Sequence, residues 1–272
     1  MNETRIDITH IPFSRYGAYV SVSRDEGKKE LIIHNVKRRF EEGPMFSLTF
    51  GKDELQDFVC MASPEKIRVE NENGHAQIYI RDDQTVGIES FGLDLQVSLL
   101  RSNGYGVEES DRTFRMISVE QRTYTTFAVE QGAAYLEGPF EAYSTCENLK
   151  NKKKQLHVSC ENGHILMALT LSFVEPKPVI LPICPKEEME AVKAEWDKFL
   201  GYLSENEEAD EETGEFARIT WYNLWSSFVH AEDVYQHDTM LMSKKYMSSV
   251  WSWDHCFNAL AMAKISKQKA ME

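Results

Sequence analysis

The chain lacks what a membrane anchor, a disulfide scaffold or a nucleic-acid binder would need. Nowhere do about 18 apolar residues run together, the length that crossing a bilayer takes. The opening Met-Asn-Glu-Thr-Arg-Ile-Asp stretch has no apolar run of the kind a secretion signal requires. The five cysteines, Cys60, Cys146, Cys160, Cys184 and Cys256, are odd in number, widely scattered and free of any C-x-x-C spacing. That pattern argues against a disulfide framework or a zinc cluster and for reduced thiols in a cytoplasm. Positive charge is also short: 30 Lys and Arg against 44 Asp and Glu leave a net charge of -14. Binding phosphates needs clustered cations, so neither nucleic acid nor an anionic membrane surface is an expected partner. A neutral carbohydrate has no charge for this surplus to repel. G-x-S-x-G, P-loop and Gly-rich dinucleotide patterns are missing too, so acyl transfer and nucleotide chemistry have no support and no cofactor is expected.

What is present is an ordinary globular composition, 42% hydrophobic and 27% charged over 272 residues, enough for a sizeable core plus a second unit. From Ile6 to about Pro178 short alternating segments are separated by turn residues, the pattern of an antiparallel sheet protein. Gly17 to Ser23 and Glu30 to His34 read as one hairpin. Ile67 to Glu70 and Ala76 to Arg81, joined by Asn71-Glu-Asn-Gly74, read as a second, because Asn-Gly is a strong turn signal. Further strands are expected at 45–50, 85–90, 93–98, 104–108, 115–119, 123–129, 134–137, 155–160 and 165–173. Strands at this density predict a large two-sheet sandwich. Phe40, Phe46, Phe50, Phe114, Phe127 and Phe173 are its expected core. His157 and His164 flank a hairpin turn predicted at Glu161-Asn-Gly163, and with Lys150-Asn-Lys-Lys-Lys154 they read as a solvated turn.

Prolines at Pro176, Pro178, Pro182 and Pro185 stop the strand pattern. A linker helix is expected over Lys186 to Ser204, with Met189, Val192, Trp196, Phe199 and Leu200 on one face. An acidic loop, Ser204 to Glu215, follows, and its spacing does not match an EF-hand. Thr213 can cap a helix running to about Asp233, whose stripe of Phe216, Ile219, Leu224 and Phe228 is widened by Trp221 and Trp225. Left uncovered on a monomer, Trp221, Leu224, Trp225 and Phe228 would invite self-association. His230, His237, Asp238 and His255 do not recur at helical ligand spacing, and no metal is expected.

The stretch Tyr246 to Ala263 carries the readable chemistry. Trp251 and Trp253 lead into Asp254, after which Phe257, Leu260 and Ala261 fall at helical spacing, so a helix is expected over Asp254 to Glu272 with Asp254 as its N-cap. A carboxylate between indole rings suits a sugar, because it accepts hydrogen bonds from neighbouring hydroxyls while a ring covers the apolar face. A plain capping aspartate beside core tryptophans accounts for the same residues.

The W-x-W-D-x-x-F-x-A-L-A pattern in this run resembles the substrate-binding segment of glycoside hydrolases with a catalytic (α/α)6 barrel, in the processing-glucosidase, mannosylglycerate-hydrolase-like and trehalase-like group. Ile11-Pro-Phe-Ser-Arg-Tyr-Gly-Ala-Tyr19 is similar to the start of the β-domain that precedes such barrels. Between these two short stretches the likeness is architectural only. The resemblance implies a mainly β chain: a large antiparallel β-sandwich over residues 1–180, a linker helix and acidic loop over 181–212, and the first helices of an incomplete (α/α)6 barrel over 213–272. It implies substrate binding by Trp251, Trp253 and Asp254, with Tyr246 as a further candidate, on an oligosaccharide or α-linked glucoside or mannoside. The catalytic pair of such inverting enzymes comes from later helices, so no catalytic residue is expected here and the fragment is expected to be inactive alone. The alternative is a non-catalytic carbohydrate-binding or assembly domain.

Overall fold

The computed structural model describes residues 4–37, 43–51, 57–101, 103–119, 121–138, 154–201 and 211–271. Phe40, Cys146, Lys150 to Lys153 and most of the acidic loop lie outside them. In chain order the larger strands are β1 (Val20–Ser23), β2 (Leu31–Asn35), β3 (Pro44–Phe50), β4 (Val59–Ser63), β5 (Lys66–Asn71), β6 (Gly74–Ile80) and β7 (Thr85–Phe91). They continue with β8 (Leu95–Leu99), β9 (Gly104–Glu108), β10 (Thr113–Ser118), β11 (Thr123–Gln131), β12 (Ala133–Glu137), β13 (Gln155–Ser159) and β14 (His164–Phe173). Every pairing among them is antiparallel. They form a six-stranded sheet in the order β1-β2-β3-β8-β13-β12 and an eight-stranded sheet in the order β4-β5-β6-β7-β14-β11-β10-β9. The protein is mainly β, built on two large antiparallel sheets followed by helices.

One apolar core lies between the sheets. Alternation puts Leu48, Val97, Leu156 and Leu136 inward from the six-stranded sheet and Ile78, Ile88, Leu169 and Phe127 inward from the other, all almost completely buried. Phe46 of β3 meets Phe127 of β11 edge to face across the gap, with ring centroids 5.6 Å apart. At one side the sheets close on each other where Gly106 of β9 faces Leu136 of β12: a Cβ there would stand 2.5 Å from the leucine methyl, which would have to move aside.

Four helices follow among the described residues: α1 (Pro185–Gly201), α2 (Glu211–Ser227), α3 (Ser252–Met262) and α4 (Lys267–Met271). Two short strands, β15 (Phe228–Val229) and β16 (Thr239–Met240), pair between α2 and α3. The segment leading into α1 covers the outer face of the eight-stranded sheet, where Tyr79, Ala128 and Ala168 pack with Val179, Ile183 and Met189. Arg81 fastens it by donating to Glu188 at 2.6 Å and to the Ile180 carbonyl at 3.0 Å.

Several expectations change. β13 and β14 do not form a hairpin: β13 pairs with β8 and β12 while β14 pairs with β7 and β11, so the Asn162-Gly163 turn carries the chain from one sheet to the other. Lys154 is buried, not solvated, and Phe173 is only half-buried. The strand β4 was not anticipated. α2 stops at Ser227, because Phe228 and Val229 leave it to pair with β16. Trp225 and Phe228 are buried and Trp221 and Leu224 pack on the core, so this part of the stripe is covered, while Phe216 at its start is 73% exposed. Trp196 of α1 does most of the covering, with ring centroids 5.3 Å from Trp225 and 5.9 Å from Tyr222. The C-terminal segment is two helices, not one, and the first starts at Ser252.

His34 on β2 is buried, with Nε2 2.7 Å from the Ser23 hydroxyl and no partner for Nδ1 among the described residues. Burial, and then the Lys245 charge, push its pKa from 6.5 down to about 4. The unfolded chain therefore takes up this proton first as the pH falls. The stability His34 contributes is whole above pH 6.5 and is lost on the way down to about 4, on the order of 3 kcal/mol in all. Urea unfolding of wild type and His34→Gln across this range is expected to diverge by that amount, with the wild type falling more steeply; parallel curves would show that His34 is not the titrating group.

Candidate functional site

The aspartate singled out in the sequence is not the cap of its helix. Trp251 holds the N-cap position of α3 in an extended conformation without a side-chain capping bond, and Asp254 lies in the first turn. Its carboxylate is half-exposed and accepts no hydrogen bond among the described residues. An acidic group here is favoured by the free N–H groups of the helix start. Trp251 and Trp253 are 40% and 74% exposed, and Trp253 touches Phe257 one turn on, ring centroids 5.7 Å apart. Trp253, Phe257 and Leu260 form an apolar stripe facing solvent. Tyr246 stands elsewhere: its hydroxyl is 3.2 Å from Asp25, and the Lys245 ammonium, itself 3.0 Å from that carboxylate, lies over its ring. The structure thus keeps Trp251, Trp253 and Asp254 together on one helix start and gives Tyr246 a different neighbourhood.

α3 is attached mainly by two contacts. Met262 is buried at its end, and His255 reaches back to the Met240 carbonyl on β16 with Nε2 while Nδ1 faces the Trp251 carbonyl at 2.9 Å. The short α4 then folds back over the opening segment of the chain.

A second group of polar residues, which the sequence did not bring together, sits where these pieces meet. Asp238 accepts from the Tyr16 hydroxyl at 2.7 Å and from the Ala231 N–H at 3.2 Å, and lies 3.1 Å from His230 Nδ1. Lys269 of α4 bonds the Tyr16 hydroxyl, stands 3.6 Å from Asp238 and lies over the Tyr16 ring at 4.4 Å. The pairing of β15 with β16 brings His230 and Asp238 into contact across eight positions of sequence. Spacing on a single helix, the rule applied to these residues as metal ligands, could not find it. Gly17 permits the approach: its φ is +85°, and a Cβ there would stand 2.2 Å from His230 Nε2.

Electrostatics differ on the two sides of His230. Burial pushes the Asp238 carboxyl up, but hydrogen bonds from Tyr16, His230 and Ala231 outweigh it and hold the group below its ordinary value. Asp83, 3.8 Å from His230 Nε2, is raised by burial and by the negative charges of Asp82 and Glu232. The two carboxyls flanking His230 are thus shifted in opposite directions, Asp238 down and Asp83 up. No cluster of three or more His, Cys, Asp or Glu side chains able to hold a metal occurs among the described residues. None of the described helices is long and apolar enough to cross a membrane.

Beside this network a cleft of about 440 Å³ opens between α1, α2 and the last helices. Phe199, Trp225, Met262 and Ile265 give it apolar walls, and Tyr16 and Lys269 carry the polar network to its edge.

No protein-family model matches the chain, and no curated protein matches it. Among solved structures it is similar to a bacterial glucoamylase complexed with acarbose, at 8% sequence identity and a TM-score of 0.41. The alignment covers 98% of this chain and 42% of that one, so the chain spans less than half the length of that protein.

Asp238 joins the opening segment, the β15–β16 hairpin and α4. Replacing it with alanine strands Tyr16, the Ala231 N–H and Lys269 together, at an expected cost of about 1–3 kcal/mol. Chemical denaturation should show that loss, and limited proteolysis should cut first near α4. Unchanged stability would mean that the network does not fasten these elements.

Proposed function

We propose that this chain supplies the sandwich, linker and opening helices of an inverting (α/α)6-barrel glycoside hydrolase acting on an α-linked glucoside or mannoside. In this reading it carries part of the sugar subsite but not the catalytic acid and base. The observation that carries it is the Asp254 carboxylate: half-exposed, unpaired among the described residues, at a helix start and flanked by two exposed indoles. A capping or core aspartate would have its lone pairs occupied. Here they are open to two neighbouring hydroxyls of a sugar whose apolar face lies on Trp251 or Trp253.

The stripe of Trp253, Phe257 and Leu260 supports the same reading. Three large apolar side chains at helical spacing on an open face suit a helix that packs against further helices. The same stripe is what an assembly domain would use against a second copy, so static light scattering separates the two: a concentration-dependent dimer weakened by Leu260→Glu favours assembly. The acid and base of an inverting enzyme stand roughly 6.5–9.5 Å apart around a water, and no pair on this chain is assigned that task.

Titration with maltose, mannobiose or acarbose, followed by tryptophan fluorescence, is expected to report binding that weakens about tenfold or more in Asp254→Asn and Trp253→Ala. The chain alone is expected to release no 4-nitrophenol from 4-nitrophenyl α-glucoside or α-mannoside. Hydrolysis by the chain alone that disappears in Asp254→Asn would overturn the non-catalytic assignment; sugar binding indifferent to both substitutions would overturn the subsite.

A further inference from the structure

The tetrapeptide Glu-Asn-Gly-His occurs twice in the chain, as Glu72 to His75 and as Glu161 to His164. The two copies flank one ring: Phe91 stacks on His75 with centroids 5.1 Å apart and on His164 with centroids 4.6 Å apart. Both copies make tight turns, yet they enter the turn one residue out of step. In the first, Asn71 and Gly74 close a two-residue hairpin, so Asn73 is the second loop residue and the Gly74 N–H is spent on the turn bond to the Asn71 carbonyl. In the second, the His164 N–H donates to the Glu161 carbonyl at 3.1 Å. Asn162 and Gly163 are there the two loop residues, with φ of +54° and +76°, both in the left-handed region that a type I′ turn requires.

This offset leaves the two glycine nitrogens in different states. The Gly163 N–H donates to nothing among the described residues, Asn162 and Gly163 are both exposed, and a Cβ on Gly163 would meet nothing within 4 Å. Gly74 is wedged against the sheet, where a Cβ would stand 2.0 Å from the Phe91 carbonyl oxygen. The third Asn-Gly pair, Asn103-Gly104, ends in a buried glycine at the start of β9, where a Cβ would stand 2.7 Å from the Ile117 carbonyl oxygen. The open turn is nonetheless tied to its surroundings. The Gly163 carbonyl accepts from the Gly92 N–H at 2.9 Å, and the Cys160 N–H donates to Asp94 at 2.8 Å, so both ties run to the connection between β7 and β8.

We propose that Asn162 is a site of spontaneous deamidation, and that the fold protects the identical sequence at Asn73. Glycine after asparagine leaves no Cβ to bar the side chain from the following backbone nitrogen. The Gly163 nitrogen gives its proton to solvent base and bonds to Asn162 Cγ. The Cγ–Nδ2 bond breaks, the side-chain nitrogen leaves as ammonia, and a cyclic imide remains. Water then adds to one of the two imide carbonyls. Opening at Cγ gives aspartate on an unaltered backbone, and opening at the backbone carbonyl gives isoaspartate, whose chain runs through the former side chain. At Asn73 the same attack must first break the turn bond of Gly74. Isoaspartate lengthens the chain at the turn that carries it between the sheets and draws the Gly163 carbonyl away from Gly92, so this product loosens the fold. No residue is shared with the sugar subsite on α3.

Peptide mapping by mass spectrometry during incubation at mildly alkaline pH tests this, once in the folded protein and once in urea. In the folded protein Asn162 is expected to deamidate about tenfold faster than Asn73, the scale of one hydrogen bond that has to break first, and ahead of Asn103 as well. In urea the two Glu-Asn-Gly-His copies are expected to react at the same rate, because their neighbours are the same. Equal rates in the folded protein, or a faster Asn73, overturn the proposal. So does a lead of Asn162 that persists undiminished in urea, since the fold then plays no part. Aged wild type is expected to melt below fresh wild type, whereas aged and fresh Asn162→Gln melt alike, because the longer side chain closes the ring far more slowly. An equal drop in both proteins overturns the loosening assigned to this turn.

Discussion

The amino group of Lys244 is completely buried, and no carboxylate among the described residues pairs with it. Its nitrogen lies 2.7 Å from the Phe228 carbonyl, 3.1 Å from the Arg15 carbonyl and 3.2 Å from the Ser14 hydroxyl, so three oxygens surround it. Burial drives its pKa far below the ordinary lysine value. A polar group in such a place is tolerated only while its donors are met. Its three acceptors come from two remote parts of the chain, the opening segment and the end of α2, and the lysine itself comes from the approach to α3. Satisfying one side chain therefore fixes where three segments meet.

The rest of the seam is built around that point. Ser14 exchanges backbone hydrogen bonds with the buried Tyr222 hydroxyl of α2, donating at 3.0 Å and accepting at 2.9 Å. Arg15 grips Glu195 of α1 with two contacts of 2.7 Å, Tyr16 reaches Asp238, and Tyr19 donates to the His230 carbonyl at 2.6 Å. A run of six residues thus holds α1, α2 and the β15–β16 hairpin against the sandwich. α3 lies beyond these ties, joined to the rest mainly through His255 and Met262. That difference explains why the Trp251-Ser252-Trp253-Asp254 turn stays open while the Tyr16 network beside it is closed.

Legibility followed the physics of each element. Strands with one face in the core alternate in sequence, so β5, β6 and β10 could be read. β4, an edge strand whose Val59 is 63% exposed and Ala62 buried, does not alternate cleanly and was missed. The Asn162-Gly163 turn was found, but a turn signal does not say which sheet the chain enters next, and here it changes sheets. The apolar stripe of α2 was visible, while its cover, Trp196, belonged to another helix whose docking no spacing rule reveals. Of the candidate site, the Trp and Asp positions are legible through a motif, yet the helix start is read two residues late, since Asp is a favoured cap and Trp is not. Tyr16, His230, Asp238 and Lys269 come from four separate segments and carried no joint signal. Lys244 carried none either, because a lysine in a polar loop reads as solvated until its acceptors are known.

The two outer faces of the sandwich show how one architecture can hold two kinds of surface. Tyr79, Ala128 and Ala168 make the eight-stranded sheet's outer face flat and apolar, and the closest apolar segment in sequence after β14 folds directly onto it. On the six-stranded sheet the same pleat presents Thr49, Gln96 and His157, whose polar groups would each need a partner if a helix were laid over them. An apolar cover is therefore unfavourable on that side, and the face stays half-exposed.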